Sequence, residues 1–304
     1  MRASAGPLAP PLTASRADLP SDVAAVLDDP AAPELGMVEA DGIPFATRSW
    51  GDPAAAPLLL IHGITASSRI WWRIGPALAV GLGRRVVAVD QAGHGRTVRW
   101  TGHHRFADNA ADVAAFARAA GLARPGLRVV GHSWGGMTAA ALPRAGLIPA
   151  RLVLLDPPAI AASALATMLD DPVERHYDDV DEAIRALGRL HPTWSYGDVA
   201  AKAEALTQFD EPAVRAVLTE NGDWDGGLAA LADPAAADVP VWLVRGDPAS
   251  GGLMPDEEAV RMSVRIGPDR VITIAGGTHS PMRVLTEAST LALLLALTRG
   301  QDRG

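Results

Sequence analysis

Leu127, Val129 and Val130 run directly into Gly131-His132-Ser133-Trp134-Gly135, and a stretch of small helix-forming residues, Met137–Leu142, follows. This order predicts a buried strand, a very tight turn and a helix, with a serine at the apex. Such a turn holds its central residue in strained backbone geometry. Side chains at the two flanking positions would collide with the neighbouring strand and helix, which is why glycines stand there. The turn lifts the Ser133 hydroxyl over the sheet edge and aims the unpaired N–H groups of the helix start at any developing negative charge. A bare Gly-x-Ser-x-Gly could equally be a glycine-rich turn whose serine caps a helix. A nucleophile needs more: a base, an acid and a second oxyanion donor elsewhere in the chain.

The chain has 304 residues, enough for one elaborated domain with a large core. Its formal charge of −8 disfavours nucleic acid or an anionic membrane as a main partner. With no cysteine it has no disulfide and no thiolate chemistry. Prolines at 7, 10 and 11 interrupt any signal-peptide core, and no apolar run is long enough to span a bilayer, so the reading is of a cytoplasmic protein. Residues 1–35 are rich in Ala, Pro and Ser and read as a flexible N-terminal extension with one short helix near Ser21–Leu27.

Further along, Gly36–Ala40 and Ile43–Ser49 flank Asp41-Gly42, a strong hairpin signal. Pro57–His62, Arg85–Asp90 and Arg151–Asp156 are short apolar runs that suit strands buried on both faces. Helical patterns at Ser67–Val80 and Arg105–Leu122 alternate with them. This rhythm predicts a mainly parallel sheet flanked by helices. It breaks from residue 158 to 237, where only helical patches occur, and resumes with strands at Val239–Arg245 and Arg270–Ala275. Residues 36–157 and 238–304 therefore form the expected α/β core, and 158–237 a helical cap inserted after the sixth strand, over the sheet edge where ligands bind.

Eight histidines are candidates for the base. Only His279 follows the last strand, in Gly276-Gly-Thr-His-Ser-Pro281, from where a loop reaches the Ser133 turn. The acid that orients it must end a nearby strand. Asp247, in Arg245-Gly-Asp-Pro248, is the first choice and Asp156 the alternative; both end strands on the correct edge.

The chain resembles the α/β-hydrolase superfamily, in its cap-bearing serine esterase and lipase-like branch. The matching pieces are His62-Gly63-Ile64-Thr65, Asp90-Gln-Ala-Gly-His-Gly-Arg96, Gly131-His-Ser-Trp-Gly135, Asp247 and Gly277-Thr-His-Ser-Pro281, in family order over residues 36 to 304. One departure concerns the acid: the family often has Gly-x-x-Asp there, whereas Asp247 directly follows Gly246 and Ala249 occupies the later site. The resemblance implies an oxyanion hole from the backbone N–H groups of Ile64 and Trp134. It further implies a serine hydrolase with a Ser133, His279 and Asp247 triad, no cofactor and no metal, cleaving a small-molecule ester. The Ala/Leu-rich helical patches of the insertion suggest an apolar or aromatic acyl or alcohol group. Lactone opening, carbon–carbon bond hydrolysis and a non-catalytic ligand receptor are the alternatives. A serine at the elbow argues against the branches of the superfamily that use aspartate there.

His62, Trp71 and Trp72 are candidate pocket residues: two adjacent tryptophans cannot share one helix face, so one is expected to face substrate. Trp194 and Trp224 are expected mainly to pack cap helices together. The acidic run Tyr177–Glu182 lacks the spacing and glycine of a calcium loop and reads as solvated acids near a helix start.

Overall fold

The apolar runs line up as one eight-stranded sheet in the computed structural model, which describes residues 8–97 and 104–300. Strands β1 (Glu34–Ala40) and β2 (Ile43–Trp50) form the antiparallel hairpin. Asp41 and Gly42 turn it at φ of 48° and 77°, as a two-residue hairpin loop requires. There follow β3 (Pro57–Ile61), β4 (Arg85–Val89), β5 (Arg128–His132) and β6 (Arg151–Leu155). A two-stranded ribbon, β7 (Ala159–Ile160) with β8 (Trp224–Asp225), brackets most of the insertion, and β9 (Val241–Arg245) and β10 (Val271–Thr273) complete the main sheet. Its order is β1-β2-β4-β3-β5-β6-β9-β10, parallel from β4 to β10.

Central strands are wholly apolar because both their faces are covered. Helices α1 (Ser21–Asp28) and α2 (Ile74–Leu82) lie on one face; α3 (Phe106–Ala119) and α4 (Trp134–Ala141) lie on the other. Alternate residues divide accordingly: Leu58, Leu60, Val130 and Val153 join the α1–α2 core, and Leu59, Ile61, Val129 and Leu154 the α3–α4 core. The sixth strand is followed by the insertion, with α5 (Ala162–Thr167), α6 (Val180–Leu190), α7 (Tyr196–Leu206), α8 (Glu211–Glu220) and α9 (Leu228–Leu231). Asp179, Ser195 and Asp210 cap α6, α7 and α8 through their side chains, and Asp181 and Glu182 occupy the first turn of α6. The insertion has its own apolar core, closed from below by Trp134 and Met137 of α4. Helices α10 (Asp256–Ile266), α11 (Pro281–Val284) and α12 (Thr286–Thr298) end the chain, α12 on the α1–α2 face. Among the described residues no helix is long and apolar enough to cross a membrane.

The N-terminal stretch departs from the flexible extension expected of residues 1–35. Residues 1–7 lie outside the described part, but from there the chain is tied down. Leu12 hydrogen-bonds to Thr273 and Ala275 (2.7 and 2.9 Å) beside β10, and α1 buries Val23, Ala24 and Leu27 against α2 and α12. Its apolar side chains at helical spacing outweigh the Ala/Pro-rich composition. The single helix expected at Ser67–Val80 is broken as well: a 3-10 turn at Ser68–Trp71 precedes α2, so the two tryptophans sit at the break.

One carboxylate in α3 works against the fold. Burial and the nearby Asp108 and Asp41 raise Asp112 to about 6. A folded-state value above the unfolded one means the charged form destabilises: fully above pH 6, not at all well below pH 4, where both states are protonated. Asp112→Asn should therefore stabilise the protein at pH 8 by on the order of 1 kcal/mol after solvent screening, about 2 °C in Tm, with the gain gone at pH 3.5. Equal melting temperatures for the two proteins at pH 8 would contradict this.

Candidate active site

Ser133 follows β5 at φ 54° and ψ −126°, a conformation that L-residues avoid and that the flanking glycines permit. A Cβ on Gly131 would lie 2.1 Å from the Gly135 carbonyl oxygen, and one on Gly135 2.4 Å from that of His62. Any side chain at either position would push the turn off its strand. The elbow is thereby pressed between β5, α4 and the loop after β3, with Ser133 buried.

Ser133 Oγ lies 2.8 Å from His279 Nε2, and His279 Nδ1 lies 2.7 Å from Asp156 Oδ2. His279 is brought there by the loop leaving β10. Asp156 ends β6, the strand between β5 and β9, so its side chain rises beside the elbow. It is wholly buried, and its oxygens also accept from the Gly246 N–H (3.0 Å) and the Leu253 N–H (2.9 Å). These donors and the imidazole hold a buried carboxylate that would otherwise be costly.

The structure thus corrects the choice of acid: His279 bonds to Asp156, not to Asp247. Asp247 is spent on backbone N–H groups instead: Oδ1 accepts from the Ala249 N–H of its own turn (2.9 Å) and Oδ2 from the Gly276 N–H of the loop after β10 (3.3 Å). An Asp-Pro dipeptide at a turn favours that local capping. The missing Gly-x-x-Asp spacing was the signal in the sequence that Asp247 does not stand where such an acid should.

The loop after β3 lies against the serine: a Cβ on Gly63 would be 2.9 Å from the Ser133 Cβ. Among the described residues the backbone N–H groups of Ile64 and Trp134 form no hydrogen bond within the protein. His62 anchors this loop from behind. Its Nε2 accepts from the Gln91 N–H (3.0 Å), which leaves the proton on Nδ1, donated to the Gly63 carbonyl (2.7 Å). Burial lowers its pKa, with Asp90 partly opposing, so it stays neutral. His132, beside the serine, donates from Nε2 to the His279 carbonyl (2.9 Å) and is held well below its ordinary value by burial and by the neighbouring His279.

The profile of the Alpha/beta hydrolase family matches residues 58–287, most of the chain. The chain belongs to the α/β-hydrolase family. It is similar to lipase LipV of Mycobacterium tuberculosis (31% identity over 248 residues, 75% of this chain and 87% of that protein). A shorter match, 35% identical over 99 residues, is to the bifunctional esterase/perhydrolase DCH of Acinetobacter calcoaceticus. It spans 32% of this chain and only 34% of that relative's length. Among solved structures, E-2-(acetamidomethylene)succinate hydrolase superposes with a TM-score of 0.71 at 23% identity, over 86% of this chain and 97% of that one, a likeness of fold.

In this α/β-hydrolase a cavity of about 200 Å³ lies between the insertion and the sheet edge, with Ser133 and His279 at its base. Ile64, Ile160, Leu165, Trp194 and Trp224 are among the residues of its apolar wall. None of the three expected pocket residues lines it. His62 is behind the loop after β3, and Trp71 is wholly buried in the α1–α2 core. Trp72 turns to the insertion, donating to Asp198 (3.0 Å) under the Arg73 guanidinium. The reason is the helix break, which sends both indoles away from the serine. Trp194 and Trp224, expected mainly as packing, do face the cavity.

Three charged residues there were not foreseen: Glu174, Lys202 and Arg283. Lys202, buried on α7, donates to the Thr65 carbonyl and hydroxyl (2.9 Å each) and pairs closely with Glu174. Burial lowers the lysine, opposed by Glu174. Burial acts to raise Glu174, yet the charge of Lys202 and hydrogen bonds from Lys202 and Thr65 leave it below its ordinary value, so the two stay ionised together. No local motif announces this cluster, because its members come from three separate segments.

Proposed function

We propose that this protein is a serine hydrolase that cleaves a carboxylic ester through an acyl-enzyme, with the insertion as a cap over the site. The observation that carries this is the unbroken chain from Ser133 Oγ through His279 to buried Asp156 at the base of a largely apolar cavity. The esterase and lipase relatives support the same chemistry.

On this reading His279 Nε2 takes the Ser133 proton as Oγ attacks the ester carbonyl. Asp156 holds the imidazole in the tautomer that leaves Nε2 free to accept, and stabilises its charged form. The Ile64 and Trp134 N–H groups, unpaired in the free protein, receive the oxyanion, each worth about 3 kcal/mol in the transition state. The tetrahedral intermediate collapses, the alcohol leaves with the proton from His279, and the acyl group stays on Oγ. Water, deprotonated by the same histidine, then attacks the acyl carbonyl and releases the acid.

A fluorophosphonate should label the protein in one-to-one stoichiometry at Ser133, and p-nitrophenyl esters should be turned over. The cavity volume favours short acyl chains, so kcat/KM should peak at acetate to butyrate and fall for octanoate and longer. Labelling without turnover of any ester would overturn the esterase reading.

A further inference from the structure

Arg283 stands four residues after His279 on α11 and lines the same cavity as Ser133. It is 5% exposed. Its guanidinium forms no hydrogen bond among the described residues, and Nε and Nη1 are fully buried without a partner. Trp194, also on the cavity wall, stacks on it with the guanidinium carbon 4.2 Å from the ring centroid. That contact draws on the charge of the cation and satisfies none of its N–H donors. The other cation of the cavity is fully occupied: the three protons of Lys202 are matched by Thr65 O, Thr65 Oγ1 and Glu174. With Lys202 and Glu174 cancelling, the cluster carries one net positive charge, on the group with idle donors. Burial brings Arg283 down to about 10, eased by the more distant charges of Glu174 and Asp198, so it remains a cation at neutral pH.

A buried, charged fork without an acceptor costs stability unless an incoming group completes it. We propose that the cavity takes an ester whose acyl or alcohol part carries a carboxylate, with Arg283 as the residue that binds that carboxylate. The anion fits because a guanidinium pairs with a carboxylate through two parallel N–H···O bonds. The small cavity sets the scale: a short half-ester, with the carboxylate a few carbons from the scissile carbonyl. Such a substrate is anchored at one end by Arg283 while its carbonyl lies at Ser133. This identity of the substrate rests on the hydrolytic reading above.

The test uses a matched pair, monomethyl glutarate and methyl valerate, with acid release followed by pH-stat. Wild-type kcat/KM should favour the carboxylate ester by about 100-fold, the scale of a charge-assisted bidentate contact. Arg283→Met should bring that ratio close to one; Arg283→Lys, which keeps the charge and stem but loses the fork, should leave an intermediate ratio. A purely structural arginine would lower both substrates together and keep the ratio. Binding is read separately on the Ser133→Ala protein, where monomethyl glutarate should raise Tm and methyl valerate should not. A wild type without preference, or no selective Tm shift, overturns the carboxylate site. A selective Tm shift with no turnover of either ester by the wild type overturns the esterase reading and keeps the site.

Discussion

Ser133→Ala is expected to lower ester turnover about 10⁶-fold and to abolish fluorophosphonate labelling, with Tm almost unchanged. The size follows from the arrangement: with Oγ gone, His279 Nε2 has no nucleophile to activate, and the unpaired Ile64 and Trp134 donors can assist only direct attack by water. The strained turn survives, because alanine meets the same φ of 54° that serine does and the glycines that make room are untouched. Residual covalent labelling of the variant would place the nucleophile elsewhere and sink the mechanism.

Asp156→Asn should reduce kcat by about 10⁴, whereas Asp247→Asn should leave it within a few-fold of wild type. Asparagine at 156 presents an amide to His279 Nδ1 and to the Leu253 N–H, both of which now meet a carboxylate oxygen. Turning its NH₂ to the histidine makes Nδ1 an acceptor and moves the proton to Nε2, where it can no longer receive one from Ser133. Asp247 touches only backbone N–H groups, of Ala249 in its own turn and of Gly276 at the start of the loop after β10, and not the imidazole. Its loss therefore loosens these turns and leaves both hydrogen bonds of His279 in place. Kinetics of both variants on one p-nitrophenyl ester decide the matter, with Tm measured alongside to separate misfolding from chemistry. A large loss in Asp247→Asn alone would reverse the assignment.

The contrast between those two aspartates marks the limit of what this sequence discloses. Ser133 stood out because a strand, two glycines and a helix leave one backbone geometry possible, and backbone constraints are local. His279 stood out by its order along the chain, since only one histidine follows the last strand. Which acid faces it depends on strand order and side-chain direction: β6 lies beside the elbow strand, a fact of the assembled sheet. Distance along the chain hid the charged cluster in the same way. Thr65, Glu174, Lys202 and Arg283 are separated by up to 218 positions (283 − 65) and share no motif. Trp71 and Trp72 misled because the helix assumed to carry them is interrupted. The N-terminal segment misled because its composition resembled a loose tail, while Val23 and Leu27 were spaced to bury.

Lys202 ties the carbonyl and hydroxyl of Thr65 to helix α7 of the insertion. The residue next to a proposed oxyanion donor is therefore fastened by the element that roofs the cavity, and Thr65 itself sits at a φ of 51° that an untethered loop would tend to relax. The roof and the rate are thus not separable parts. A chimera given another relative's insertion without a lysine at this point would inherit a new cavity wall together with a slackened loop, and its turnover should fall even on substrates that fit. Changes of substrate range in this protein are then easiest through residues that line the roof and leave that one rivet in place.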